Sequence, residues 1–406
     1  MQGFGLTSYF TIPCSLFSIQ FKKIHQSLNT DSRYDVAIIG GGLAGLALSI
    51  QSARAGYSTI VFEREKYPFH KVCGEYISLE SWNFLQDLGV PLSDMQLPLI
   101  RNLLLSAPNG KYIESSLPLG GFGISRFSID NIMAGLARQE GVTLLEDTKV
   151  SDVIYRNNRL LIFSSRGETE ATVAAGAYGK RGNLDVKWKR QFTRVKPNKL
   201  NHHVGVKYHI RFPQPADLIS LHNFENGYCG ISQIEDNKCC LCYLTTAGNL
   251  RKSHNDIATM EKNFLMKNPF LEKIFSEMEC LYEEPLTISR ISFNKKTQVE
   301  NHVLMMGDTA GMITPLCGNG MSMALHSSKL AFEEIASFMR KKINRYEMEL
   351  QYTQQWEKQF GRRMQVGRLI QHFFGSPYLS NFLISSVKPF PRFMSYLIRQ
   401  THGKTF

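Results

Sequence analysis

Residues 34–63, YDVAIIGGGLAGLALSIQSARAGYSTIVFE, constrain this chain more than any other stretch. Strand, glycine turn, helix, second strand and closing acid follow one another in the order of a dinucleotide-binding unit. The apolar run 36–39 predicts a buried parallel strand, after which Gly40, Gly42 and Gly45 supply G-x-G-x-x-G at the turn into a helix. Gly40 permits the tight turn. Gly42 lets the backbone N–H groups of Leu43 and Ala44 approach a pyrophosphate at the positive helix end, and Gly45 lets helix pack on strand. Glu63, about 20 residues further on, closes a second strand over 58–62, where a carboxylate can accept both hydroxyls of an adenosine ribose.

A second segment, residues 303–325 (VLMMGDTAGMITPLCGNGMSMAL), points to which dinucleotide is held. A buried strand runs into Gly307-Asp308, then a loop with Pro315, Gly318, Asn319 and Gly320, then an apolar helix from Met321. Asp308 is placed to accept a hydrogen bond from a polyol, and the helix start offers backbone donors and a positive dipole end. A flavin needs both, for its ribityl chain and for the negative charge of its reduced ring, whereas NAD needs neither. The expected cofactor is FAD.

Carried by these residues, and most distinctively by Lys71-Val72-Cys73-Gly74-Glu75, the chain resembles a group of FAD-dependent oxidoreductases. The group includes geranylgeranyl reductases, aromatic hydroxylases of the para-hydroxybenzoate hydroxylase fold and flavin halogenases. The resemblance covers most of residues 34–375. It implies an α/β fold, in which an FAD-binding Rossmann-like domain of glutathione-reductase type carries an inserted antiparallel β-sheet substrate domain and C-terminal helices. It implies further cofactor contacts at Arg64, Arg126 and Val150, and a place for Cys73 near the flavin, where it would touch substrate or cofactor. Packing as a small apolar residue is the other reading of Cys73. The implied boundaries are 34–95, 125–185 and 285–335 for the FAD-binding domain, 96–124 and 186–284 for the substrate domain, 336–406 for a helical segment and 1–33 for a flexible extension.

Two departures bear on chemistry. Where the family carries Ala/Ser-Asp-Gly, this chain has Ala177-Tyr178-Gly179, which puts direct reduction by NAD(P)H in doubt. At Gly227-Tyr228-Cys229-Gly230-Ile231 the family often has a Trp-rich strand; no Trp stands there, which argues against a halogenase.

The length of 406 residues and the 43% hydrophobic content suit a large core. The net charge of +12 favours acidic surfaces. Zinc-finger spacing, an RNP-like sequence and an arginine-rich array are all missing, so nucleic acid is not an expected partner. The eight cysteines form no disulfide framework and lack paired C-x-x-C spacing, so no metal is expected and a reducing cytoplasm is.

Short strands are predicted over 204–212, 218–224, 228–234 and 239–244, punctuated by Pro213-Gln214-Pro215, Asn226-Gly227 and Asp236-Asn237. Alternation offers Tyr208, His222, Tyr228 and Cys240 to a substrate-facing side. Helical spacing runs over 330–374. The tail 378–398, with Leu379, Phe382 and Ile384 among basic Lys388, Arg392 and Arg399, reads either as a cap or as a peripheral membrane contact.

The expected substrate is a bulky, largely apolar small molecule of isoprenoid or polyketide type. Double-bond reduction leads, with flavin monooxygenation as the alternative and a flavin-binding protein without turnover as the third reading. No acid–base dyad stands at a readable spacing.

Overall fold

The computed structural model describes residues 33–180, 182–196, 202–314, 318–373, 377–387 and 403–406. Two sheets organise them. In the first, the order is Val299–Glu300, Val303–Met305, Gly167–Gly176, Arg33–Ile39, Thr59–Phe62 and Thr143–Leu145, and the last four junctions are parallel. Parallel strands need covered faces, which is why they read as unbroken apolar runs. Val36, Ala37 and Ile38 pair with Val173, Ala174 and Ala175, all fully buried. The helix Leu43–Arg54 has apolar residues around most of its circumference, and nine of its twelve positions are buried. A helix of that composition is stable only when enclosed. It is packed against the helices Arg126–Gln139 and Gly320–Met339. Burying Leu46, Leu48 and Ile50 completely contributes about 1.5–3 kcal/mol each.

The second sheet runs Glu279–Cys280, His203–Arg211, Cys239–Thr246, Gly227–Gln233, Leu218–Phe224, Leu99–Ser106, Tyr112–Gly123 and Tyr76–Ser78, with Leu286–Ile291 also on His203–Arg211. The four strands expected from the sequence are present within two residues. Their first hairpin turns on Glu225 and Asn226, the latter at φ +60°, so Gly227 is already the first strand residue. The sheet is not purely antiparallel, because Leu99–Ser106 lies parallel to Leu218–Phe224. These strands come from separate chain segments, so no hairpin dictates their direction. Tyr76–Ser78 and Leu286–Ile291 also join this sheet, although the sequence boundaries place both stretches with the FAD-binding domain.

Register sorts the two faces, because directly paired residues share one. Lys207 pairs with Cys242, His209 with Cys240, Cys242 with Gly230, and Gly230 with Leu221. That face meets residues 71–75: a Cβ on Gly205 would lie 3.3 Å from Val72, and Cys240 Sγ lies 3.3 Å from the Cys73 carbonyl. Tyr208, Leu241, Ile231 and Cys229 occupy the other face, with Met260, Phe264 and Leu271 packed on it. Of the four residues offered to the substrate side, Tyr228 and Cys240 are there. Tyr208 and His222 are not: Tyr208 donates to Glu261, and His222 stacks on Phe270. A strand buried on both sides has no solvent-exposed side to mark its orientation.

The helical stretch after residue 320 divides into Gly320–Met339 and Arg345–Phe373. Lys341 at φ +58° ends the first, and Asn344 and Glu347 cap the second reciprocally. Pro377–Val387 lies on the second sheet, where Ile384 packs with Leu103, Leu105 and Ile113 while Leu379 and Phe382 stay exposed. This much of the tail caps the body. Lys388, Arg392 and Arg399 lie outside the described residues. Among the described residues no helix is long and apolar enough to cross a membrane.

Candidate functional site

The glycine turn has the form that its sequence predicts. Gly40 has φ +104°, and a Cβ there would lie 2.5 Å from the Ala177 carbonyl oxygen. On Gly45 a Cβ would lie 2.0 Å from the Gly40 oxygen, so strand and helix could not meet. Gly42 is different. A Cβ there would find only Arg126 Nη2 at 3.5 Å and Lys71 Nζ at 3.8 Å. Gly42 caps the helix without a side-chain bond, so the Leu43, Ala44 and Gly45 amides form an uncapped positive end facing two cations.

Asp130 assembles those cations. Its carboxylate takes a two-pronged bond from Arg126 (2.8 and 2.7 Å) and one from Lys71 (3.0 Å). Burial works to raise the Asp130 pKa, but Arg126 and Lys71 outweigh it and hold it below the usual range. Two cations against one carboxylate leave a surplus positive charge beside the helix end, as a pyrophosphate requires. Sequence reasoning quoted Lys71 but gave it no cofactor role. The Glu63 carboxylate accepts from the Gly41 amide at 2.8 Å and from the Glu65 amide at 3.1 Å. Arg64 points outward to Glu65. Val150 stands apart from this group, with its side chain in the core and its carbonyl taken by Asn183.

Gly307, at φ +54°, brings the second motif to the first. A Cβ there would lie 3.6 Å from Ala44 Cβ. Gly307, Asp308 and Gly320 line a cleft with Gly311, Ile313, Met323 and Trp356. The Asp308 carboxylate has no hydrogen-bond partner among the described residues, which leaves it free for a ribityl hydroxyl. Its backbone is braced by Lys296, whose Nζ donates to the carbonyls of Asp308 (2.7 Å) and Lys180 (2.8 Å). Burial lowers the Lys296 pKa to about 8. Gly318 lies against the ring of Tyr76, whose buried hydroxyl has no hydrogen-bond partner among the described residues. Asn319 and Met321 are buried at the helix start, and Pro315 lies outside the described residues. The cradle, the surplus charge and the free Asp308 carboxylate fit FAD. Asp308→Ala should weaken FAD binding by roughly 10- to 100-fold, the loss of one charge-assisted hydrogen bond; fluorescence titration of the apoprotein measures it.

Residues 71–75 join this cradle to the second sheet. Cys73 is half-buried there. Glu75 is fully buried, and its carboxylate takes Lys207 Nζ and the Arg126 amide on Oε1 and His209 Nε2 on Oε2. Burial works to raise its pKa, but His209 and Lys207 overcome this and keep it ionised. Sequence reasoning missed Lys207 and His209. The signal was available in HVGVKYHIR, where Gly205, Lys207 and His209 alternate with Val204, Val206 and Tyr208. Tyr178, in the place of the family aspartate, donates to Asp185, itself paired with Arg190.

The FAD binding domain family matches the chain at residues 35–70. A flavin-dependent brominase shares the fold with a TM-score of 0.74 at 18% identity, over 91% of this chain and 93% of its own. A geranylgeranyl bacteriochlorophyll reductase-like protein from Thermoplasma acidophilum gives 0.73 at 16% identity, over 92% and 97%. This is an FAD-binding oxidoreductase fold, related to the geranylgeranyl reductase and para-hydroxybenzoate hydroxylase-like flavoenzymes. Among curated relatives, the conditioned medium factor receptor 1 of Dictyostelium discoideum is 24% identical over 380 residues, 86% of this chain and 72% of that protein. Digeranylgeranylglycerophospholipid reductase 2 of Methanothermobacter thermautotrophicus is 23% identical over 82% of this chain and 86% of its own. The chain is an FAD-dependent enzyme of the oxidoreductase type.

Proposed function

We propose that this FAD-dependent enzyme transforms a bulky, largely apolar small molecule, and that its reduced flavin works with oxygen, as in flavin monooxygenases. The observation that carries the substrate class is the face that residues 71–75 share with the second sheet. Beyond Cys73, Cys240 and Cys242 it continues through Gly230, Leu221, Leu105 and Leu103 to Ile384 of the capping helix. On this face Lys207 and His209 are already bonded to Glu75, so the groups beyond Cys73 offer a ligand mainly apolar area. Cys73, beside the cradle, is the residue proposed to touch substrate or flavin. The likeness to the brominase across nine-tenths of both chains supports oxygen chemistry, and so reverses the order expected from sequence.

Double-bond reduction is the second reading. It is supported by Cys73-Gly74-Glu75 and by the digeranylgeranylglycerophospholipid reductase among the relatives. FAD supplies the two electrons in either case; the chain's residues hold it, exclude water and provide protons.

Heat release of the bound cofactor should yield FAD rather than FMN, because Glu63 and the glycine turn address the adenosine half. The photoreduced protein is then held without oxygen and offered geranylgeraniol. A flavin that stays reduced until labelled oxygen is admitted, with the label found in an aromatic or polyprenyl test compound, is the expected result. Return of the oxidised spectrum on geranylgeraniol alone would establish the second reading.

A further inference from the structure

The face beneath residues 71–75 carries a line of hydrogen-bonding groups that leads outward from the buried Glu75–Lys207 pair. His209 Nε2 lies 2.5 Å from Glu75 Oε2, His209 Nδ1 lies 2.7 Å from the Tyr282 hydroxyl, and that hydroxyl lies 3.0 Å from His70 Nε2. Glu75, His209 and Lys207 are buried, whereas Tyr282 and His70 are half-buried, with His70 stacked on Phe127 at the solvent edge. We propose that His70, Tyr282, His209 and Glu75 form a proton path from solvent to the buried Lys207 ammonium under residues 71–75. The use made of the protons rests on the flavin reading above; the path itself does not.

Chemistry fixes its polarity. The ionised Glu75 carboxylate only accepts, so His209 Nε2 carries the proton, and the relay requires Nδ1 to be the accepting nitrogen. The Tyr282 O–H therefore points at His209, and its oxygen accepts from His70 Nε2–H. Every donor points inward. A proton drawn from Lys207 is replaced through Glu75 from His209, which is refilled from Tyr282, then from His70, then from water. One proton leaves at the buried end and one enters at His70. Charges are restored, and both imidazoles finish in the opposite tautomer.

The groups facing the path are Lys207, Cys73 and Cys240 at the inner end and Glu235 near His70. Burial, together with the Lys207 ammonium, lowers the His70 pKa, so that it is neutral near pH 7 and can take up a proton. Glu75, His209 and Cys240 also bring ligand-type atoms within 4.8 Å of one another. On Glu75 the Lys207 ammonium already supplies the positive charge that a metal ion would bring.

The test uses the full-length, FAD-loaded protein labelled with 15N-histidine. Reoxidation by oxygen after photoreduction consumes one proton per hydrogen peroxide formed. Tyr282→Phe keeps the ring and removes the relay hydroxyl. It should slow reoxidation at least about tenfold and abolish its slowing in D2O, with FAD content and melting unchanged. His70→Gln should show the same defect and be rescued by added imidazole. In the spectra, Tyr282→Phe should shift both the His209 Nδ1 signal and the His70 Nε2 signal, because the one hydroxyl bonds both rings. Wild-type reoxidation kinetics in Tyr282→Phe would overturn the use of these protons at the flavin, and His209 and His70 signals left unmoved by Tyr282→Phe would overturn the path itself. The second result is read without any reaction, so it stands even if the flavin reading fails.

Discussion

A Gly42→Val chain is expected to fold with near-parental stability and yet fail to retain FAD. The position is extended backbone at φ −83°, which valine adopts freely, and the added Cβ meets nothing closer than 3.5 Å within the protein. The cost to the apoprotein is that of an unfavourable helix cap, about 1 kcal/mol. The branched side chain would instead fill the space between the Leu43 and Ala44 amides and the Arg126–Lys71 pair, where the pyrophosphate belongs. Affinity should fall by roughly 100-fold or more, about 2.7 kcal/mol. Gly45→Val is the contrasting control: its Cβ would lie 2.0 Å from a backbone oxygen, and the chain should fail to accumulate in folded form. Isothermal titration of FAD into each refolded apoprotein, with urea unfolding alongside, measures both effects. Tight FAD binding by Gly42→Val would reject the cradle.

The second large effect is expected at Glu75. Glu75→Ala leaves the Lys207 ammonium buried without its counter-ion and strips His209 and the Arg126 amide of their acceptor. Breaking a buried pair from one side costs about 3–5 kcal/mol. The double replacement Glu75→Ala with Lys207→Met should recover much of that loss, because no unpaired charge remains. The pH dependence follows from the shifts. Glu75 is held below its unfolded value, so its contribution is complete above about pH 4.3 and is lost as pH falls through the folded pKa. Lys207 is raised, so its contribution is complete below about pH 10.4 and is lost as pH rises through the folded pKa. The pair therefore stabilises most between those limits, and urea unfolding across pH at fixed FAD concentration should show both flanks flattened in the double variant.

The parts legible in the sequence are those in which backbone chemistry dictates residue type. Gly40 and Gly45 are required by close approach, the strand 36–39 by burial on both faces, and Asn226 by its positive φ; each could be read one residue at a time. The second sheet's strands were legible for the same reason, but not their facing. Tyr208 and Lys207 are neighbours on a strand enclosed on both sides, and neither face is marked by solvent. Nor could spacing reveal Glu75 with His209 and Tyr282, because their partnership joins three distant segments only once the second sheet has formed. Lys71 was in view from the start, yet its role depends on Asp130, which lies 59 positions later.

The carbonyl oxygens of residues 71, 72 and 73 accept in turn from Lys207 Nζ (3.2 Å), Lys180 Nζ (3.1 Å) and Cys240 Sγ (3.3 Å). The restraints come from side chains elsewhere and act on main-chain atoms that every amino acid possesses. The path of the segment is thereby decoupled from the identities of Val72 and Cys73, whose side chains are only half-buried. Relatives of this chain could exchange those two residues, and with them the surface offered to a ligand, while the backbone keeps its course between cradle and sheet. The same separation makes positions 72 and 73 the natural places to diversify when the fold is to be turned toward a new substrate.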